Sequence, residues 1–189
     1  TIEGFGGNKD VVFNGFSIPS DGPGGANVEI RNVSIRAAGL IVGNTASTVK
    51  VVDCILDGTS GPCRAAALAL ANGAVTTGVL DSNAGVAATD AASVVVLEHC
   101  TLGSNIGAGY GVVAHNNSGS LTLRHCTVAS DAGMLINVAT TIEHCTFTGA
   151  NNYASAIAAG GTPTATVRAS VSAAANAGNM TETVVGLIS

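Results

Sequence analysis

Apolar residues recur along this chain in short runs that are separated by clusters of Gly, Asn, Ser and Asp. The runs are rich in Val, Ile and Leu and show no sustained helical period, which is the pattern of short β-strands between turns. Three of the runs are near copies, VVLEHCTLGS from Val95, LTLRHCTVAS from Leu121 and TTIEHCTFTG from Thr140. The sequence is therefore predicted to repeat one β-rich unit.

The cysteine of this unit serves as an anchor for aligning the weaker copies. Eight anchors result, at Phe16, Val33, Cys54, Gly78, Cys100, Cys126, Cys145 and Ser170, and the seven steps between them average 22 residues. Because strands this short are unstable alone, stacked units are expected to pair their strands in parallel around a continuous core. We predict an all-β chain with a single parallel β-solenoid of about eight coils over 1–172. Residues 1–10 are predicted to form an N-terminal cap, and 173–189 a C-terminal tail or a capping or oligomerisation segment.

The positions within one unit predict how each coil turns. Counted from the anchor, positions minus three, zero and plus two are mostly apolar. Since a straight strand alternates its faces with period two, the chain must bend just before the anchor if all three are to point inward. Position minus one is filled by Gly15, Asn32, Asp53, Thr77, His99, His125, His144 and Ala169. Most of these residue types tolerate left-handed backbone geometry, which predicts a stacked corner turn.

The unit from Ile30 to Ile35, apolar-x-Asn-apolar-x-apolar, resembles the coil of the pectate-lyase-like right-handed parallel β-helix superfamily. Coils of that superfamily carry an Asn-type ladder at such a corner. The resemblance covers residues 11 to 172 and implies right-handed winding.

Composition narrows the possible partners. Charged residues make up only 10% of the chain and the net charge is −5, so no basic surface is expected for nucleic acid or an anionic membrane. The segment from Thr1 to Gly7 lacks the basic and apolar parts of a signal peptide, and synthesis in a reducing cytoplasm is expected. So few charges, together with Ala-rich stretches at 64–75, 84–92 and 154–160, predict a homotrimer.

Two columns carry groups capable of chemistry. His99, His125 and His144 follow one another at the corner and form either a metal-binding ladder or, as we favour, a backbone-driven corner. Glu98 and Glu143 are spaced like the acid pair of an inverting glycosidase, yet Arg124 between them predicts an ion-pair ladder instead. No catalytic, cofactor-binding or metal-binding residue is assigned, and enzymatic activity is left open but disfavoured.

The cysteine and threonine columns are predicted to have structural roles. The anchor cysteines are expected to be small buried hydrophobes, and Cys63 is expected to be the one accessible thiol. Thr101, Thr127 and Thr146 form one outward column, but the second threonine column of an ice-binding solenoid is missing at plus three.

Short β-helices with Ala-rich faces and few charges resemble the trimeric β-helical proteins of bacteriophage particles. That resemblance implies a non-enzymatic capsid decoration or cement protein, located in the virion and bound to the major capsid protein or another virion protein. A tailspike that binds or cleaves polysaccharide, with Glu98 and Glu143 as its acids, is the second hypothesis. An ice-binding solenoid is the third.

Overall fold

The computed structural model describes residues 1–4, 11–14, 16–18, 27–35, 40–42, 48–57, 84–88, 94–103, 110–114, 120–129, 134–136, 139–148, 154–156, 164–172, 177–178 and 181–186. Every regular element in these ranges is a β-strand, and the strands, numbered in chain order, form three sheets. All strand pairs are parallel. The all-β, parallel prediction is confirmed.

Seven of the eight strands of sheet A have five residues, and each such run can bury one face and expose the other. Its eight strands are Ile2–Glu3 (β1), Asn27–Arg31 (β4), Thr48–Val52 (β7), Val94–Glu98 (β10), Ser120–Arg124 (β13), Ala139–Glu143 (β16), Thr164–Arg168 (β19) and Thr181–Val185 (β22).

Sheet B contains seven strands of two or three residues, which follow the corner turn. They are Val12–Phe13 (β2), Ser34–Ile35 (β5), Ile55–Asp57 (β8), Thr101–Gly103 (β11), Thr127–Ala129 (β14), Thr146–Phe147 (β17) and Val171–Ser172 (β20).

Sheet C completes each circuit with seven more strands. They are Phe16–Ile18 (β3), Leu40–Val42 (β6), Ala84–Ala88 (β9), Tyr110–Ala114 (β12), Met134–Ile136 (β15), Ala154–Ala156 (β18) and Ala177–Gly178 (β21). The chain thus visits sheets A, B and C in turn seven times and then enters sheet A once more. We call each A, B, C triplet a coil, and this order is the one expected of a parallel β-solenoid.

The core lies between the three sheets and is built from the predicted inward columns. At position minus three Ile30, Val51, Leu97, Leu123, Ile142 and Val167 are at most 1% exposed. The anchor and plus-two columns are buried from the second coil onward. Because each full burial of a Val, Leu or Ile side chain contributes about 1.5–3 kcal/mol, these in-register columns are the main stabilising feature of the stack.

The corner between sheets A and B is a left-handed backbone turn, as predicted. Asn32, Asp53, His99, His125, His144 and Ala169 have φ between 44° and 54°. The amide of each corner residue donates to a carbonyl of the following coil, as from His99 to Arg124 at 3.0 Å, and the strand amide after the anchor donates to the preceding coil. The hydrogen-bond ladder therefore continues around the bend.

The predicted alignment of the first coil was wrong. The expected anchor Phe16 pairs with Leu40 in sheet C, whereas Phe13 in sheet B pairs with Ile35, which stands two residues after the anchor Val33. The copy anchored at Gly78 lies outside the described residues, but β7 pairs directly with β10, so no coil stands between the Cys54 and Cys100 coils. The 26 residues 58–83 separate β8 from β9 within one coil.

Strands also occur in the segments predicted to form the N-terminal cap and the C-terminal tail or capping segment. Ile2 and Glu3, expected in a cap, form the first strand of sheet A and pair with Ile30 and Arg31. In the predicted tail, β21 and β22 pair in parallel with β18 and β19. The sheets therefore extend beyond residue 172.

Candidate functional site

The histidine column lies at the corner of three consecutive coils. The rings of His99, His125 and His144 are stacked with centroids 4.9 Å apart and planes within 5°. Their spacing is that of the strands, because each residue is fixed by the same left-handed turn. Parallel rings do not converge on a common point, and the ranges that the structure describes contain no group of three or more His, Cys, Asp or Glu residues arranged to hold a metal ion.

Asn32 occupies the same corner position and shows how a side chain there can link two coils. Asn32 donates from Nδ2 to the carbonyl oxygen of Gly4, one coil earlier, at 2.9 Å. The corner column therefore links coils through both the backbone and, at Asn32, the side chain.

The charged column on sheet A is a chain of ion pairs. Glu98 contacts Lys50 at 2.9 Å and Arg124 at 3.3 Å. Glu143 contacts Arg124 and Arg168, each at 3.1 Å. We call these five residues the ion-pair ladder. The predicted Glu98, Arg124, Glu143 ladder is thus present, and Lys50 and Arg168 extend it at both ends.

The ladder sets the protonation of both glutamates. A hydrogen bond from Lys50, with the nearby charge of Arg124, lowers the pKa of Glu98. Hydrogen bonds from Arg124 and Arg168 lower the pKa of Glu143. A glycosidase acid must hold a proton near neutral pH, which requires a raised pKa. This arrangement can stabilise neighbouring strands but does not prepare either carboxyl group to donate a proton.

The thiol column is buried in the core. Cys54, Cys100, Cys126 and Cys145 are at most 2% exposed. Each S–H group lies within hydrogen-bond distance of the carbonyl two residues earlier. Those of Cys54, Cys100 and Cys126 also reach a carbonyl of the preceding coil, as from Cys126 to Leu97 at 3.4 Å. A hydrogen bond with Cys126, together with burial, raises the pKa of both Cys100 and Cys145. These thiols therefore pack as small hydrophobes, as predicted, whereas Cys63 lies outside the described residues.

Ser170 shows that the anchor position also has a polar function. Its hydroxyl donates to the carbonyl of Arg168 at 2.9 Å and accepts from the amide of Cys145 at 3.1 Å. Cys145 donates to the carbonyl of Glu143 in the equivalent way, at 3.3 Å. Serine and cysteine therefore satisfy the same corner carbonyl, which explains why both occur at the anchor.

The threonines of sheet B form a single column, as predicted. Thr101 pairs with Thr127, and Thr127 with Thr146. Two residues further along these strands, Gly103 pairs with Ala129, so no second hydroxyl column accompanies the first at this level. The flat array required by the ice-binding hypothesis is absent from this part of sheet B.

A different hydroxyl array, which the sequence pattern did not reveal, lies on sheet A. Its first column pairs Thr122, Thr141, Thr166 and Thr183 in register. Two residues earlier, a second column contains Ser120, Ala139, Thr164 and Thr181. We call these eight positions the threonine face. The only signal in the sequence was the recurrence of Ser or Thr at positions minus six and minus four, outside the conserved-looking Cys-Thr core of the repeat.

Within the described part of the chain, no helix has the length and apolar character needed to cross a membrane.

No protein-family model, no curated protein and no solved structure matches this chain.

Proposed function

We propose that this protein is a non-enzymatic structural module, a right-handed parallel β-helix that assembles as a homotrimer and decorates a bacteriophage capsid. The observation that carries the non-enzymatic part is the ion-pair ladder. Its two glutamates, the best candidate acids in the sequence, are each held by two cations of neighbouring coils. The stacked histidines and buried thiols are likewise used by the architecture.

Right-handed winding is supported by a general rule. Crossover connections between parallel strands of one sheet are right-handed in about 98% of cases. Every step from one sheet A strand to the next in this chain is such a crossover, through sheets B and C. Asn32, whose side chain links two coils, also belongs to the sequence unit Ile30 to Ile35 on which the resemblance to right-handed β-helices rests.

Association through sheet C is supported by its register. Leu40 and Met134 are buried and share one column. The next position along each strand is occupied by Ile41, Ala87, Val113 and Leu135 in register. Adjacent apolar columns are typical of a sheet that is covered on both faces. A continuous apolar row is suited to packing against an identical copy. If the row is covered in this way, the protein needs fewer charged residues on its surface, which agrees with the low charged content of the chain.

The first test is the solution mass of the full chain by light scattering over a range of concentrations. A stable trimer of the 18.4 kDa chain is expected. In Leu135→Lys the assembly should dissociate, because a charge would be buried in the proposed interface. Val96→Lys, on the outward face of sheet A, is the matched control and should remain trimeric. A monomer at all concentrations would refute the assembly.

The virion assignment needs its own experiment. The purified trimer is mixed with capsids of tailed bacteriophages that lack their decoration proteins, and co-sedimentation is measured with serum albumin as the negative control. Saturable binding is expected for a cognate capsid. Cleavage of a polysaccharide panel that is abolished by Glu98→Gln would instead establish the tailspike hypothesis.

A further inference from the structure

The threonine face is a regular two-dimensional array of hydroxyl groups. It covers two positions on each of four successive strands, β13, β16, β19 and β22, and seven of its eight residues are Ser or Thr. Thr164 and Thr183 are exposed, whereas Thr122, Thr141 and Thr166 are half-buried. The threonines are therefore aligned in register on the outward positions of four paired strands.

Its two repeat distances are set by the backbone. Along the stack, the coil repeat is 4.9 Å, as measured between the corner rings of His125 and His144. Across the face, alternate residues of one strand are roughly 6.6 Å apart. Parallel pairing joins every strand of the array to the next, and threonine has few χ1 rotamers. The hydroxyl and methyl groups are therefore held in fixed positions before any ligand arrives.

The face is also electrically neutral. Charged side chains run beside it two residues further along the same strands, at Arg124, Glu143 and Arg168. These charges are paired with one another in the ion-pair ladder. A polyanion therefore meets no free row of cations here, and the outward positions of the described sheet A strands include no aromatic residue on which a sugar ring could stack.

A rigid lattice of small groups selects a ligand that is itself periodic in two dimensions. Each threonine hydroxyl both donates and accepts a hydrogen bond, and the adjacent methyl group excludes loosely held water. Ice presents layers of oxygen atoms that also donate and accept, with repeat distances of similar size. We propose that the threonine face binds the surface of ice, and that water molecules ordered by its hydroxyl groups join the crystal lattice.

This activity is separate from trimer assembly and capsid binding, and it is tested separately. The full chain is assayed for thermal hysteresis and for inhibition of ice recrystallisation, with serum albumin at the same concentration as the blank. The wild type is expected to exceed albumin in both assays. Thr141→Tyr and Thr166→Tyr place a bulky ring in the middle of the array and should abolish both activities.

The sheet B threonine column provides the matched control. Thr127 is also half-buried, and it pairs with a threonine on each of the two neighbouring strands. Thr127→Tyr therefore makes the same chemical change on another face. Tyrosine is well accepted in strands, and circular dichroism checks that all three variants fold. Full activity in Thr127→Tyr together with its loss in Thr141→Tyr supports the proposal. A wild type no better than albumin, or equal losses in both variants, overturns it, and the light-scattering mass is unaffected by either outcome.

Discussion

The corner column predicts that Ala169 can be replaced by a stabilising residue. Ala169 adopts φ 44°, a left-handed conformation that costs a residue with a Cβ atom roughly 1–2 kcal/mol. Asparagine tolerates this conformation better than most residues. At Asn32, the same corner position lets the side chain donate to the previous coil. Ala169→Asn should therefore remove strain and add a hydrogen bond to the carbonyl of His144.

The expected gain follows from these two terms. Partial relief of the backbone strain and one net hydrogen bond, worth about 0.5–1.5 kcal/mol, together give about 1–2 kcal/mol. For a domain of this size, that corresponds to a rise in Tm of about 2–8 °C. Ala169→Gly relieves the strain without the hydrogen bond and loses about 0.5–1 kcal/mol to unfolded-state entropy. Its gain should be smaller than that of Ala169→Asn.

The assay is urea unfolding followed by circular dichroism, with Tm as a second measure. Ala129→Asn is the control, because Ala129 is equally exposed but lies in strand β14, where asparagine is disfavoured. If Ala169→Asn is no more stable than Ala129→Asn, the corner does not select residues by their backbone preference, and the physical account of the histidine column fails with it.

Three further predictions concern packing and charge. A Cβ added at Gly4 would clash with the carbonyl oxygen of Asn32, so Gly4→Ala should lower the free energy of unfolding by about 1–3 kcal/mol. A Cβ added at Gly103 would meet its nearest atom at 3.9 Å, so Gly103→Ala should leave the free energy of unfolding unchanged. Equal losses for the two variants in urea unfolding would contradict the clash. Leu123 is fully buried, so Leu123→Ala should lower the free energy of unfolding by about 2–5 kcal/mol in the same assay. A loss under about 1 kcal/mol would show that the core collapses around the gap. Because the folded-state pKa values of both ladder glutamates are lowered, their stabilisation is complete above the unfolded pKa near 4.3 and disappears as the pH falls through the folded values. The stability difference between wild type and Glu143→Gln, measured by urea unfolding, should shrink on acidification, and a difference independent of pH would contradict the role of the ladder.

The repeat was visible in the sequence where coils share identical residues. The coils of Cys100, Cys126 and Cys145 were aligned correctly because Cys, Thr and His recur together, and the corner was deduced from inward positions that a straight strand cannot reconcile. Phe16 was misplaced because its segment has only the apolar pattern, which fits several registers. A pattern of apolar positions alone does not distinguish a strand of sheet C from the strands of the corner.

The surface features depended on contacts that no single register position reveals. Lys50 lies in the column two residues before that of Glu98, and the two meet diagonally between adjacent strands, a contact that cross-strand neighbours permit. The threonine face is not apparent from the shared Cys-Thr core of the repeat. Its residues precede the cysteine by four and six positions, where the coils share a residue type rather than an identical sequence.

The two-residue corner has a consequence for protein engineering. From the second coil to the seventh, the chain always passes from sheet A to sheet B through two residues, whereas 26 residues separate β8 from β9. The pairing of β7 with β10 is nevertheless in full register over five residues. Strand alignment is thus independent of the length of the sheet B to sheet C connection. A foreign peptide grafted in place of 58–83 would be displayed at a fixed height on the rod while the coils above and below keep their alignment.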